Sequence, residues 1–268
     1  MIIIIDAMNK HKFDSVLREM HRLRARVFQD RLGWDVQVRD GMEHDIFDDL
    51  NPAHVVSLND AGEVVGCMRL LQTTGPHMLA DVFSSILDGE PALRSAQLWE
   101  ATRFCVDTKK LTTGKTRNSI SYVTSEVMIG AFEYAKKAGV LDAVAVIDPV
   151  MNRVLKRSGN APYDYLGTAK PMGKVTAMAA LMDCSDERIS SIRAFSGINN
   201  DVFATDEEAL ECFNQTHAEP KADAPQIVPD LEEYFAQQMM CAETPDEAEA
   251  VQRLKSVVAE QLGSVRKS

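Results

Sequence analysis

Apolar and polar residues alternate with recognisable periods in the first third of the chain. The opening run MIIIID predicts a buried first strand. An amphipathic helix is predicted over residues 13–32, with Gly33 as its C-terminal stop. Its apolar face consists of Val16, Leu17, Met20, Leu23, Val27 and Leu32. The apolar runs 55–58 and 64–71 flank the turn-forming stretch NDAGE, and together they predict a β-hairpin.

The second part of the chain alternates between strand and helix patterns. The stretch QLWEATRFCVD predicts a strand, and a long helix is predicted over 118–137, ending at Gly139. The run LDAVAVI predicts a strand, which a short helix follows, with Asp148 as its N-cap and Pro149 at its first position. The stretches KVTAMAALMD and CSDERISSIRAF predict a further strand and the last helix of the core. This order is typical of a mixed α/β sheet flanked by helices.

The composition changes at about residue 200, which predicts a core domain over 1–199 and an extension over 200–268. The extension holds 15 acidic and 5 basic residues, so it carries most of the net charge of −11 and leaves the core nearly neutral. Two helices are predicted within it. The first is VPDLEEYFAQQMM, and the second begins at Thr244, which forms a capping box with Glu247.

Length and composition exclude several classes of protein. A chain of 268 residues, 45% of them hydrophobic, is long enough for one large domain with an appendage. No apolar run is long enough to cross a bilayer, and MIIIID lacks the features of a signal peptide. The five cysteines form no CxxC pair, so neither a disulfide framework nor a zinc site is indicated. We expect a cytoplasmic protein with no membrane or nucleic-acid partner.

Several charged residues lie within or beside apolar elements. They are Arg24, Glu43, Asp45, Asp48, Arg69, Glu100 and Arg103. Because a charge inside an apolar strand is costly unless it is paired, Arg69 and Arg103 are predicted to meet carboxylates from elsewhere in the chain. The set is either a structural ion-pair network or a site that binds a polar substrate and tunes a base.

Four other stretches have competing interpretations. EHDIFDD offers metal-binding side chains, but a single histidine without a second ligand cluster argues against a metal, and none is expected. TTGKTRNS is not a phosphate-binding loop, because Lys109 stands where that motif needs glycine. Cys67 and Cys105 lie in apolar strands and are expected in the core. The basic residues of RVLKRS form either a solvated face or a docking patch for an acidic partner.

Four stretches, in this order, resemble the LuxI-type acyl-homoserine lactone synthases, the autoinducer synthases of bacterial quorum sensing. They are RARVFQDRLGWDV, GMEHDIFDD, GEVVGCMRLLQTTGPHMLADVF and WEATRFCVD. The resemblance covers roughly residues 1–197. It is weaker over VMNRVLKRSGN, because the family often has a serine where Asp148 stands and an aromatic residue where Asn160 stands. It implies a Gcn5-type N-acetyltransferase-like three-layer sandwich with a mixed, V-split sheet, to which this chain adds its helical extension.

The resemblance also implies an acyltransferase reaction. In that family, the α-amino group of S-adenosylmethionine attacks the thioester of an acyl carrier protein. The methionine carboxylate then displaces methylthioadenosine and closes the lactone ring. S-adenosylmethionine is therefore a substrate, and no cofactor is expected. Acyl carrier protein is the expected partner, with acyl-CoA as an alternative donor, and the oligomeric state is open.

The resemblance assigns roles to individual residues. Glu100 is the expected base, and Arg103 is the second catalytic residue. The expected substrate-binding residues are Arg24, Phe28, Trp34, Asp45, Asp48, Arg69, Thr102, Phe104 and Ala145, with Glu43 in the same motif. The expected carrier-protein docking residues are Arg153, Lys156 and Arg157. Trp34 is expected to fold back as a lid after Gly33, whereas Arg22, Arg26 and Arg31 are expected to be solvated. Ala145 supplies no hydroxyl group, which favours an unsubstituted or 3-hydroxy acyl chain.

Two other functions are open at this stage. One is a different acyltransferase of the same fold that uses acyl-CoA and another amine. The stretch DTKKLTTGKTRNS lacks the Q/R-x-x-G-x-G/A loop that binds the CoA pyrophosphate in such enzymes. The other is a binding protein that acts through its acidic tail. The buried charges argue against it, because burying charges costs folding free energy and a protein that acts only through its tail does not need them.

Overall fold

The computed structural model describes residues 1–112, 116–117, 119–172, 175–217, 239, 249, 251–253 and 255–256. The chain divides into two compact units, Met1–His217 and Ala218–Ser268. The described residues of the second unit are helical. The rest of its two predicted helices lies outside the described residues, as do Cys241 and positions 113–115 of TTGKTRNS.

A seven-stranded sheet in the order β1-β4-β5-β6-β7-β9-β8 forms the centre of the first unit, and β2 and β3 form a separate pair. The strands are β1 (Ile2–Ile5), β2 (Val38–Arg39), β3 (Met42–Glu43), β4 (Ala53–Leu58), β5 (Val64–Gln72), β6 (Leu98–Val106), β7 (Asp142–Ile147), β8 (Asp164–Met172) and β9 (Val175–Asp183). The predicted first strand and hairpin are confirmed as β1 and as β4 with β5.

The sheet splits between β6 and β7. These strands pair in parallel, and the other neighbours in the sheet pair antiparallel. Leu98–Glu100 pairs with Asp142–Val144, after which β6 and β7 continue without pairing to each other. The mixed, V-split sheet is therefore confirmed.

Helices cover both faces of the sheet. They are α1 (Asp14–Ala25), α2 (Met78–Asp81), α3 (Ile120–Lys137), α4 (Pro149–Arg157), α5 (Asp186–Ser196) and α6 (Asp206–His217). Helices α1 and α6 pack on one face, the α1 face, and α3 and α5 pack on the other, the α3 face. Helix α4 begins as predicted, because the Asp148 side chain accepts a hydrogen bond from the Met151 amide.

Several features differ from the predictions, and three of them concern the main elements. The helix predicted over 13–32 is α-helical only to Ala25 and continues as a π-helix over Arg26–Arg31. Strand β8 was missed, because most of its residues are polar or exposed and lack alternation. The first compact unit continues past the composition change at residue 200 to His217, because Phe213 of α6 is buried on the α1 face.

Two arginines expected to be solvated also have partners, although Arg31 is exposed as expected and Arg26 is half-buried. Arg26 pairs with Asp107, and Arg31 donates to the Thr108 hydroxyl and the Val106 carbonyl. Both contacts tie the π-helix to the end of β6.

None of the described helices has the length and apolar character needed to cross a bilayer.

Candidate active site

Three arginines and three carboxylates form a buried network on the α1 face, which we call the charged cluster. Its members are Arg24, Glu43, Asp45, Asp48, Arg69 and Arg103. Arg24 donates from Nη1 and Nη2 to the two carboxylate oxygens of Asp48, at 2.7 and 2.8 Å. Its Nε donates to Glu43, and both Arg24 and Glu43 are fully buried. These charge-assisted hydrogen bonds offset the free-energy cost of removing each charged group from water.

The two strand arginines extend the charged cluster toward the split in the sheet. Arg69 donates to both oxygens of Asp45, at 2.6 and 3.0 Å, and from Nε to the Thr102 hydroxyl at 3.1 Å. Arg103 donates to Asp45 at 2.6 Å and to Glu43 at 3.1 Å. The prediction that Arg69 and Arg103 meet carboxylates from elsewhere in the chain is confirmed.

The arginines of the charged cluster keep Asp45 and Asp48 ionised. Burial by itself raises the pKa of Asp48, but the guanidinium groups of Arg24 and Arg69 outweigh it and hold that pKa far below its usual range. The pKa of Asp45 is lowered for the same reason, by Arg69 and Arg103 acting against burial. Three positive and three negative charges therefore balance within one buried network.

A β-bulge in β6 brings Arg103 to the charged cluster. Cys67 pairs with Cys105 and Arg69 with Thr102, so one residue of β5 faces two residues of β6. Arg103 takes a left-handed φ of 53° there, which is costly for a residue other than glycine. Strict alternation would turn Arg103 to the α3 face, where Ala101 packs. The bulge instead keeps it on the α1 face beside Thr102.

Phe28 and Trp34 form an aromatic stack beside the charged cluster. Their ring centroids are 5.0 Å apart, and the guanidinium of Arg103 lies 5.5 Å from the Phe28 centroid on the α1 face. The turn at Gly33, with φ of 63°, lets the Trp34 amide donate back to the Phe28 carbonyl at 2.9 Å. Phe28 is buried, whereas Trp34 is 38% exposed. An exposed indole stacked on a fixed ring offers a face to a ligand; its role as a lid stays a prediction.

Glu100 lies in β6 where β7 begins to diverge. It is fully buried, and its two oxygens accept hydrogen bonds from the amides of Met78 and Leu79, both at 2.7 Å. Burial raises the pKa of Glu100 to about 7, against the opposing effect of those two amides. A carboxylate with this pKa exchanges protons readily near neutral pH.

Met78 was not singled out from the sequence, although it touches both parts of the site. Its amide holds Glu100, and its sulfur lies 3.3 Å from one guanidinium nitrogen of Arg69 and one of Arg103. The sequence does not distinguish Met78 from an ordinary core residue, because any buried turn of helix contains apolar residues such as those of HMLADVF.

Two predicted substrate-binding residues lie on the opposite face of the sheet. Phe104 packs against the apolar cluster of the α3 face, and Ala145 of β7 is buried in that cluster. The structure therefore does not bring Phe104 and Ala145 together with the charged cluster. Asn160, where the family often has an aromatic residue, is buried between Arg188 and Met128.

The basic residues of α4 are exposed along that helix. They are Arg153, Lys156 and Arg157. Lys156 lies 6.0 Å from the centroid of the Tyr165 ring on β8. These side chains are therefore accessible to a partner on the outer side of the α4 helix.

A cavity of about 280 Å³ lies behind Asp48, at the far side of the charged cluster from the split. His21, His44 and His54 are among its lining residues, and the Nδ1 atom of His54 is buried without a hydrogen-bond partner. Burial lowers the pKa of His54 to about 3, so it is neutral at physiological pH. In the part of the chain that the structure describes, no group of three or more His, Cys, Asp and Glu residues has the arrangement of a metal site.

Known proteins are similar to this chain in both sequence and fold. A family model described as autoinducer synthase matches residues 8–192. A probable acyl-homoserine-lactone synthase of Sinorhizobium fredii is 37% identical over 66% of this chain and 85% of its own. The CoA-dependent acyl-homoserine lactone synthase MesI is 26% identical, with a TM-score of 0.65 over 76% of this chain and 99% of MesI.

A second solved structure is that of TofI, in a ternary complex with an inhibitor and MTA. It is 26% identical to this chain and has a TM-score of 0.59 over 71% of this chain and 95% of TofI. The family match spans more than half of the chain and includes the charged cluster, the aromatic stack and Glu100. The chain therefore belongs to the autoinducer synthase family of acyl-homoserine-lactone synthases, which are acyltransferases.

Proposed function

We propose that this protein makes an N-acyl-L-homoserine lactone from S-adenosylmethionine and an acyl-acyl carrier protein. The observation that carries the proposal is the position of Glu100. A buried carboxylate with a pKa of about 7 lies where the sheet splits, next to a charge-balanced cluster and an aromatic stack. TofI, a similar protein, binds MTA, and methylthioadenosine is the product that S-adenosylmethionine would leave.

S-adenosylmethionine has three chemically different parts to be recognised. Its adenine and sulfonium suit the faces of Phe28 and Trp34, because aromatic rings stack on bases and attract cations. Its amino group suits Glu100. Its carboxylate suits the guanidinium groups of Arg69 and Arg103. Asp45 and Asp48 hold the three arginines in place, and with Glu43 they match the number of positive charges in the charged cluster.

Acyl transfer requires loss of a proton from the substrate amine. An α-amino group has a pKa near 8, so at neutral pH it is largely protonated and cannot attack a thioester. Glu100, with a pKa of about 7, accepts that proton directly or through a water molecule. The neutral amine then attacks the thioester carbonyl carbon. As the amide bond forms, the C–S bond of the thioester breaks, and the departing thiolate takes the second proton that the nitrogen loses.

The tetrahedral intermediate carries an oxyanion that needs hydrogen-bond donors. Where β6 and β7 stop pairing after Glu100 and Val144, their backbone amides facing the split have no partner in the other strand. Such amides are suitable oxyanion donors, because they are fixed before the reaction begins.

Lactonisation needs little from the protein beyond orientation. The methionine carboxylate attacks the methylene carbon next to the sulfonium, a five-membered ring closes, and methylthioadenosine leaves as a neutral thioether. Because nucleophile and leaving group belong to one molecule, holding them in line supplies much of the rate.

The acyl donor and the acyl chain bind elsewhere in the split. The exposed arginines and lysine of α4 would attract the acidic surface of an acyl carrier protein. Ala145 and Phe104 on the α3 face would contact the acyl chain. Ala145 offers no hydroxyl group to a 3-oxo substituent, which favours an unsubstituted or 3-hydroxy chain.

Direct synthesis tests the proposal. The full chain is incubated with S-adenosylmethionine and acyl carrier protein thioesters of several chain lengths, and lactone and methylthioadenosine are measured by mass spectrometry. We expect both products in equal amounts. If neither forms with any chain length, the proposal is wrong. Amide without lactone would instead indicate a different acyltransferase.

A parallel assay with acyl-CoA tests the choice of donor. Reversing the α4 charges, with Arg153→Glu, Lys156→Glu and Arg157→Glu together, should raise KM for the acyl carrier protein thioester about tenfold. The KM for acyl-CoA should change much less. Equal effects on both donors would show that α4 does not dock a carrier protein.

A further inference from the structure

Met78 connects the two groups that would bind the amino-acid part of the substrate. Its amide donates to Glu100 at 2.7 Å. Its sulfur accepts from Nη2 of Arg69 and from Nη1 of Arg103, each at 3.3 Å. The side chain is 6% exposed, so water does not compete freely for these contacts. One buried residue thus touches the expected base and both strand arginines.

Sulfur is an unusual acceptor for two guanidinium groups. A thioether is a weak acceptor, whereas carboxylates form short, strong bonds with arginine. Asp45, Asp48 and Thr102 hold other N–H groups of Arg69. Glu43 and Asp45 hold other N–H groups of Arg103. The two N–H groups that face Met78 are therefore held more weakly than the donors that face carboxylates.

We propose that Met78 is a positioning residue that holds these two donors ready for the carboxylate of S-adenosylmethionine. This inference rests on the proposed function and deepens it. When the carboxylate binds, Arg69 and Arg103 exchange two weak N–H···S contacts for charge-assisted N–H···O bonds. The exchange is favourable because nothing strong has to be broken.

The geometry also fits an α-amino acid. The amino and carboxylate groups of S-adenosylmethionine share one carbon atom, so their binding groups must lie side by side. Met78 satisfies this requirement because its amide fixes Glu100 while its sulfur adjoins Arg69 and Arg103. A carboxylate-containing side chain at position 78 would bind the two arginines too firmly. An aliphatic one would not hold the two N–H groups toward the ligand, so both guanidinium groups would have to reorient when the carboxylate binds.

The test compares S-adenosylmethionine with a ligand that lacks only the carboxylate and with one that lacks the whole amino-acid chain. Met78→Leu keeps the size and apolar character of the side chain, and it keeps the amide that holds Glu100, but it removes the sulfur. Affinities are measured by calorimetry for S-adenosylmethionine, decarboxylated S-adenosylmethionine and methylthioadenosine. We expect Met78→Leu to weaken S-adenosylmethionine about tenfold. The other two ligands should change less than twofold.

Met68→Leu is the matched control. Met68 precedes Arg69 in β5 and is similarly buried, at 8% exposed, but it packs on the α3 face. The same substitution there should change none of the three affinities more than twofold.

Two results would overturn the inference. One is an equal loss of affinity for S-adenosylmethionine and its decarboxylated form, which would mean that Met78 only packs. The other is no loss for either ligand. If Met78→Leu does not fold, Met78→Gln replaces it. Its amide oxygen should accept hydrogen bonds from the two N–H groups and so compete with the ligand carboxylate, which again weakens binding of S-adenosylmethionine alone. An equal change in affinity for S-adenosylmethionine and its decarboxylated form would overturn the inference as well.

Failure of the proposed function is recognised separately. It would appear as absence of lactone from the unmodified protein, in the synthesis assay described above. A wild-type protein that makes lactone while Met78→Leu treats all three ligands alike would contradict the inference alone.

Discussion

The two faces of β6 differ in chemistry although they belong to one strand. On the α1 face, Glu100, Thr102 and Arg103 are polar or charged and tied to partners by hydrogen bonds. On the α3 face, Trp99 and Phe104 pack against an apolar cluster. One face of β6 therefore offers fixed charges that suit a zwitterionic substrate. The other face offers an apolar surface that suits an acyl chain. The bulge at Arg103 adds a third polar residue to the charged face.

The two faces should also respond differently to substitution. A buried charge that loses its partner costs several kilocalories per mole, whereas an apolar contact that changes size costs less and can be repacked. We expect changes on the charged face to remove activity or stability. Changes on the apolar face should alter which acyl chain is used.

The largest effect is expected for Glu100→Gln on the charged face. Without the base, kcat/KM for lactone synthesis should fall by about 10²- to 10⁴-fold. In the unmodified protein, kcat/KM should rise with pH through about 7, as Glu100 loses its proton. Rates measured from pH 5.5 to 8.5 check both statements. The exposed Glu90→Gln serves as the control, and undiminished lactone synthesis by Glu100→Gln would remove Glu100 as the base.

The same pKa has a consequence for stability. The pKa of Glu100 is higher in the folded protein, about 7, than the 4.5 of a free glutamate. Between these values the folded state binds more protons, so the contribution of Glu100 to stability is fully present below pH 4.5 and is lost as pH rises through 7. Denaturant unfolding at pH 5 and pH 8 should show this contribution in the unmodified protein but not in Glu100→Gln.

Arg24→Met should produce the next largest effect, on folding. It leaves Glu43 and Asp48 without their fully buried partner, and we expect a loss of about 3–5 kcal/mol in the free energy of unfolding. Arg22→Met is the matched control. Arg22 is on the same helix, pairs with Glu19 at the surface and should contribute less than about 1 kcal/mol. Similar values for both variants would contradict the cost assigned to the charged cluster.

Trp34→Ala should affect substrate use more than folding. The indole is 38% exposed, so its removal should change the melting temperature by only a few degrees. Loss of a stacking face should raise KM for S-adenosylmethionine about tenfold. Leu32→Ala, at a position 39% exposed in the same turn, should leave that KM unchanged. A KM unaffected by Trp34→Ala would exclude the indole from the substrate pocket.

The smallest effect is expected on the apolar face. Ala145→Thr introduces a hydroxyl group and should shift the preference toward 3-oxo acyl chains about threefold, without changing KM for S-adenosylmethionine. Ala143→Thr controls for the added volume, because Ala143 lies two residues earlier on the same face of β7 and is similarly buried. The ratio of products from competing acyl donors measures the effect. An equal shift in Ala143→Thr would mean that the hydroxyl position is unimportant.

Periodicity and the cost of burying charge predicted much of this molecule. The first strand, the hairpin, α3, α4 and α5 follow from local patterns, and the pairing of Arg69 and Arg103 follows from their places in apolar strands. The features that escaped prediction depend on distant partners. The bulge exists only relative to β5, and the π-helix over Arg26–Arg31 is held by Asp107 and Thr108. The role inferred for Met78 depends on two arginines from two strands.

The split in the sheet also has a mechanical consequence. The two halves of the sheet are joined by three residue pairs between β6 and β7, about 10 Å of ladder. The segment from Ser84 to Asp88 adds a second link, because Asp88 contacts Lys170 of β8. The arginines and carboxylates of the charged cluster all come from elements on the β6 side of the split. A change in the width of the split would therefore leave every ion pair of the charged cluster intact.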